Sequence, residues 1–121
     1  MYTVITYKDC DENDKITDYI QFLNSKMHTS KDSRIKYKKI MEYIGQLKAY
    51  GATIGEPTMK HIVGTDLWEL RPLRDRILFA CWKDDIFILL HHFVKKTNKT
   101  PQKEIKQAER NFKDFIERYG E

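Results

Sequence analysis

The hydrophobic period of this chain switches from two to about 3.6, back to two, and finally to 3.6 again, and each switch marks a change of secondary structure. YTVITY (residues 2–7) is β-branched and aromatic between charged flanks, which predicts a strand. Asp11, Glu12 and Asp14 then crowd a helix start, where the positive end of the helix dipole favours them. Ile16, Tyr19, Ile20, Leu23 and Met27 follow at three-and-four spacing and give that helix one apolar stripe. HTSKDS (28–33) is a polar break with several N-cap candidates, and Tyr37, Ile40, Met41, Ile44 and Leu47 form the next stripe, closed by Gly51 just past the helix end. So short a connection predicts an antiparallel helical hairpin.

After GATIGEPT the period returns to two. LWELR (67–71), RILFACW (76–82) and IFILLHHFV (86–94) read as strands joined by PLRD and KDD, both of hairpin length, and KHIV (60–63) as a short edge piece. Five consecutive apolar residues, Ile86 to Leu90, demand a strand buried on both faces and covered by the helices. Thr100 as N-cap and Pro101 as first helical residue open a last helix, whose apolar face is Ile105, Ala108, Phe112, Phe115, Ile116 and Tyr119, with Gly120 at its end. The expected fold is α+β: a helical hairpin packed on a small antiparallel sheet, with a C-terminal helix, as one domain over residues 1–121.

Charge sharpens this picture. The net charge of +4 is unevenly spread: residues 34–50 hold five basic side chains against one acidic, and residues 71–99 hold seven against three. Arg34, Lys36, Lys38, Lys39 and Lys48 lie on the outer face of the second helix, as a solvated face or a binding one. In an antiparallel meander the end of the strand 67–71, the start of 76–82 and the end of 86–94 fall at one end of the sheet. Arg71, Arg74, Arg76, Lys95 and Lys96 therefore converge there. The stretch LLHHFVKKTNKTP (89–101) is a buried strand delivering its lysines to an arginine-lined edge. Several cations beside aromatics suit a phosphodiester, whose transition state gains negative charge.

His91 and His92, adjacent on a strand, must face opposite sides of the sheet, so at most one reaches that edge, as an acid–base group or as a packed structural histidine. Phe93 and Trp82 are candidates to stack on bases, with core packing the stronger reading for Trp82. There is no glycine-rich phosphate loop, HExxH or GxSxG pattern. Cys10 and Cys81 have neither disulfide-framework nor metal spacing and read as reduced thiols, Cys81 in the core. No apolar run approaches the roughly 20 residues of a bilayer span, and the N-terminus lacks a signal pattern, so no membrane partner and a cytoplasmic location are expected.

The segment LWELRPLRDRILFACWKDDIFILLHHFVKKTNKTPQKEIKQAERNFKDFIER (67–118) resembles the RelE/HigB superfamily of type II toxin–antitoxin toxins, within it the phage-derived HigB-like branch. The resemblance rests on the LWELR strand, the R-hydrophobic strand, the LLH-x-F-x-KKT-x-KTP run and the EI-x-x-A that follows. It implies a RelE-like toxin that is a ribosome-dependent, metal-independent mRNA endonuclease with no cofactor, in which the RNA 2′-hydroxyl attacks the adjacent phosphate. It further implies that Arg71, Arg76, Lys95 and Lys96 act at the phosphate, that Arg74 and Lys99 touch the RNA backbone, and that His91 stands at the motif histidine. His92 stands where the motif usually has a small residue. The implied partners are mRNA, the ribosome and a cognate helix-turn-helix, HigA-like antitoxin in a hetero-oligomer. Siblings of the ParE type poison DNA gyrase without cutting RNA, and a small basic nucleic-acid-binding module is a third reading.

Overall fold

The computed structural model describes residues 1–121, in the order β1 (Thr3–Thr6), α1 (Lys15–Ser25), α2 (Lys31–Tyr50), β2 (Met59–His61), β3 (Trp68–Leu70), β4 (Asp75–Trp82), β5 (Ile86–Val94) and α3 (Gln102–Tyr119), with a 3₁₀ turn at Gly51–Ile54. The helix starts follow local chemistry. Asp14 caps α1 by accepting from the Thr17 amide at 2.9 Å, and Ser30 caps α2 by accepting from the Ser33 amide at 3.1 Å. Gly51 ends α2 at φ +66°, its amide bonded to the Leu47 carbonyl. A Cβ at Gly51 would lie 2.8 Å from the Tyr2 ring, so the close approach of β1 also calls for glycine.

The five strands stand in the order β1-β5-β4-β3-β2. β2 to β5 form the expected antiparallel meander, with β2 as the short edge piece. β1 departs from the all-antiparallel expectation, because it pairs parallel to β5 with Thr3 beside Ile86. The chain leaves β1 through the helical hairpin and re-enters the sheet at its far edge. Three reversals then bring β5 back beside β1 in the same direction, and the sheet is mixed.

β5 is buried on both faces, as its apolar run requires. Phe87 and Leu89 pack with Ile77, Phe79 and Leu70 under Ile16, Leu23, Ile40, Ile44 and Leu47 of the hairpin. Ile88 and Leu90 pack with Leu78 and Ala80 under Ile105, Ala108 and Phe115 of α3. The hairpin and α3 therefore sandwich the sheet. No helix is long and apolar enough to cross a membrane.

One irregularity sets the direction of the functional side chains. Leu78 pairs with His91 and Phe79 with Leu89, so Leu90 is an extra, unpaired residue in β5. Its carbonyl accepts from the Asn111 side chain of α3 at 2.8 Å. Strict alternation would turn His91 the same way as Leu89, toward the hairpin. The bulge shifts the phase, so that His91 meets Glu104 of α3 and His92 meets Tyr19 of α1.

Beyond the bulge, a buried polar cluster ties α1 to the sheet. Asp75 is fully buried. Its Oδ1 accepts from the Tyr19 hydroxyl at 2.8 Å and from His92 Nε2 at 2.9 Å, while the Tyr19 and His92 rings stack with centroids 4.0 Å apart. Burial alone raises the Asp75 pKa, but the bonds from His92 and Tyr19 outweigh it and hold the carboxyl below the ordinary aspartate value of 3.8. Burial and the same carboxylate push the Tyr19 phenol upward.

Two outcomes follow from this packing. Ile40→Ala removes a fully buried side chain from the hairpin face and should lower unfolding stability by about 2–5 kcal/mol in urea titration. Because the Asp75 pKa is lower folded than unfolded, its stabilisation is complete above about pH 5 and is lost as pH falls through the folded value. The melting temperature should therefore fall more steeply toward about pH 3 in the native protein than in Asp75→Asn, measured by circular dichroism.

Candidate functional site

Where β5 runs out, the chain must cross from the sheet to the start of α3, and the crossing leaves a cleft of about 540 Å³. Phe93, Val94 and the segment Lys95–Thr100 form one wall, and Pro101, Lys103 and Glu104 of the first helical turn form the other. Glu69 of β3 and Arg76 of β4 supply the floor. The Lys95 amide donates to the Arg74 carbonyl at 2.7 Å, which anchors the start of the crossing to the β3–β4 turn. Thr100 anchors its end by donating to Glu69 Oε2 at 2.5 Å.

The floor is an ion cluster. Glu69 is only 4% exposed, and its Oε1 lies 3.4 Å from Arg71 Nε and 3.8 Å from Arg76 Nε. The Arg71 approach is an ion pair without a hydrogen bond, since its Nε has no bonding partner. Arg76, 6% exposed, donates from Nη1 to the carbonyls of Leu73 and Asp75, both at 2.8 Å. Burial lowers the pKa of its guanidinium, and Glu69 opposes that shift. Beside the floor, His91 Nε2 lies 2.9 Å from Glu104 Oε1.

The expected convergence of cations holds in part. Arg76, Lys95, Lys96, Lys99 and Phe93 line the one cleft. Lys96 and Lys99 are exposed, Lys95 is half-buried, and none of the three forms an ion pair, so their ammonium groups are available to a ligand. Arg71 lies at the same end of the sheet but outside the lining, where it also faces Glu56 at 3.8 Å. Arg74 is spent on the Lys95 carbonyl at 2.9 Å. His91 does not line the cleft and stands behind Glu104. His92 is taken up by Asp75 on the other face.

Two expectations need correction. Thr100 does not cap α3, because its hydroxyl is committed to Glu69, and Pro101 occupies the cap position with no side-chain bond. Cys81 is exposed and not in the core, since β4 carries it past the cover of both helices, and its thiol donates to the Lys83 carbonyl. Trp82 packs edge-on against Phe115 and donates to the Gly120 carbonyl at the end of β4 opposite the cleft, in line with the core-packing reading. On the outer face of α2, Lys36 pairs with Asp32 and Lys39 with Glu42, Arg34 donates to the Met27 carbonyl, and Lys38 and Lys48 stay unpaired.

The residues missed from sequence are the acids of the cleft. Glu69 lies within the LWELR strand and Glu104 at the start of the last helix, and neither was singled out. The only sequence signal for Glu69 was a carboxylate alternating with buried leucines, on a strand ending in arginine. No group of three or more His, Cys, Asp or Glu side chains is placed to hold a metal ion. Removing the buried anion leaves two arginines facing each other, so Glu69→Gln should cost about 3 kcal/mol of unfolding stability in urea titration.

A comparison with curated proteins finds no match. The model of the phage-derived Gp49-like proteins (DUF891) matches residues 28–113, from the α1–α2 connection through most of α3, and so includes every residue lining the cleft. That family is linked to the toxins of toxin–antitoxin systems. The match spans well over half the chain, and the protein belongs to the Gp49-like family of phage-derived proteins.

Proposed function

We propose that this chain is the toxin of a type II toxin–antitoxin pair and a ribosome-dependent, metal-independent mRNA endonuclease working in the cleft between β5 and α3. The observation that carries the reading is the set of three unpaired lysines, Lys95, Lys96 and Lys99, that line one cleft of about 540 Å³ with a buried Arg76. Membership of the Gp49-like family and the likeness of residues 67–118 to RelE/HigB toxins support it.

Lysine ammoniums are point charges that can follow a phosphate as its geometry changes. Lys95 and Lys96 would bind the scissile phosphate and offset the charge it gains when the 2′-hydroxyl attacks. Lys99 would hold the flanking backbone, and Phe93 offers a ring face to a base. Arg76, with Nη1 already engaged, contributes positive potential from below and needs no movement to do so. Arg71 and Arg74 act one step back, by balancing Glu69 and by holding the Lys95 carbonyl. A cognate antitoxin, of the helix-turn-helix kind, would neutralise the toxin by binding complementary charge and burying apolar area.

The reading is tested with purified protein and mRNA-programmed ribosomes, mapping new RNA ends, alongside the double variant Lys95→Ala/Lys96→Ala. Cuts at A-site codons should fall about 100- to 1,000-fold in the variant, while its melting temperature stays unchanged because neither lysine holds up the core. Intact message with toxicity in cells would turn the reading to a gyrase poison on the same fold. Intact message without toxicity would leave a nucleic-acid-binding module.

A further inference from the structure

We propose that Glu104 is the proton acceptor of the cleft and that His91 is the positioning residue behind it. This inference rests on the nuclease reading above and names the general base that the cationic site lacks. Attack by a 2′-hydroxyl needs a group in the cleft that can take its proton. Two carboxylates line the cleft, and their surroundings differ.

Glu69 is already occupied. Thr100 donates to one of its oxygens at 2.5 Å, and the other faces two guanidinium groups at 3.4 and 3.8 Å. Glu104 has a free oxygen. Its Oε1 takes the His91 imidazole at 2.9 Å, while Oε2 forms no hydrogen bond and no lysine of the cleft pairs with the carboxylate. Both partners of the pair are 20% exposed, so the carboxylate is reachable but not freely solvated. A helix-start acid has a structural use in complementing the dipole. That use requires neither a histidine clamp nor a position in a cleft wall.

The clamp is the product of the β5 bulge. A carboxylate oxygen can only accept, so His91 Nε2 is the donor, which fixes the imidazole orientation. The His91 ring stacks on Phe93 at 6.1 Å, which joins the clamp to the base-stacking face of the cleft. On its other side His91 lines a separate polar cavity of about 470 Å³ with Asp9 from the β1–α1 connection, Lys15 of α1, and Gln107 and Asn111 of α3. The titratable and charged groups around Glu104 are therefore His91 from β5, Lys95, Lys96 and Lys99 from the crossing segment, Lys103 from its own helix, and the Glu69–Arg76 floor.

In the step so assigned, the 2′-hydroxyl proton passes to Glu104 Oε2 as the 2′ oxygen bonds to phosphorus. The P–O5′ bond breaks, its electron pair leaves on the 5′ oxygen, and that oxygen takes a proton from water. Glu104 then returns its proton to the hydroxide so formed. The products are a 2′,3′-cyclic phosphate end and a 5′-hydroxyl end, with no other reactant consumed.

The test uses the full chain on mRNA-programmed ribosomes, comparing native protein with Glu104→Gln, whose amide can still bond to His91. Cleavage should fall about 100-fold, with binding to ribosomes carrying an mRNA that is 2′-deoxy at the cut site unchanged. The native rate should decline on the acid side of its pH profile, because the base must be ionised, and the Gln variant should lose that decline. In Glu104→Ala, added formate should restore cleavage, which a merely structural role would not allow. Undiminished cleavage by Glu104→Gln, or a loss of binding that accounts for the loss of cleavage, would overturn the assignment while leaving the nuclease reading standing. Absence of cleavage by the native protein would overturn both.

Discussion

An apolar strand that must be dry on both faces governs this architecture. Residues 86–90 of β5 leave no side of the pleat that water can occupy, so the chain has to supply a cover on each. The hairpin covers one and α3 the other. α3 follows β5 directly in sequence, so the chain has to climb from the plane of the sheet to the layer above it. The segment 95–101 makes that climb, and the cleft is the space it spans. Placing cations on the climb puts them at the mouth of a cavity that the layering creates anyway.

The electrostatics of that cavity are arranged in depth. At the floor, the buried carboxylate of Glu69 faces the guanidinium groups of Arg71 and Arg76, so the deepest charges are compensated within the protein. Toward solvent the lysines have no partners. A burial cost that would fall on isolated arginines is met locally, and the uncompensated charge sits where solvent screens it until a ligand arrives. Thr100 links the two layers, because the hydroxyl that completes the Glu69 shell belongs to the segment carrying the lysines. The floor and the wall are thus mechanically one unit.

Much of this was legible from the sequence, for reasons that differ by residue. The extent of β5 read correctly because its apolar run is bounded by KDD and by lysines, and the α2 terminus because only a glycine suits the backbone at Gly51. The sharing of one end of the sheet by Arg76, Lys95 and Lys96 followed from hairpin connectivity alone. The direction of β1 was not legible, since period-two patterning is the same for parallel and antiparallel neighbours. Nor were the partners of Thr100 and Glu104. Both carry good local signals for a helix start, and their real contacts, with Glu69 and His91, are made across the fold. Cys81 misled in the opposite way, because an apolar strand pattern does not say where the covering helices stop.

The single unpaired residue in β5 gives the strand two phases. Before Leu90, odd-numbered side chains look toward the hairpin, and after it they look toward α3. The two adjacent histidines thereby take different partners, one joined to a helix that walls the cleft and the other bonded to the fully buried Asp75. Loss of one residue at this point would exchange their neighbours without altering either histidine. In this strand the count of residues specifies the chemistry as firmly as their identity does.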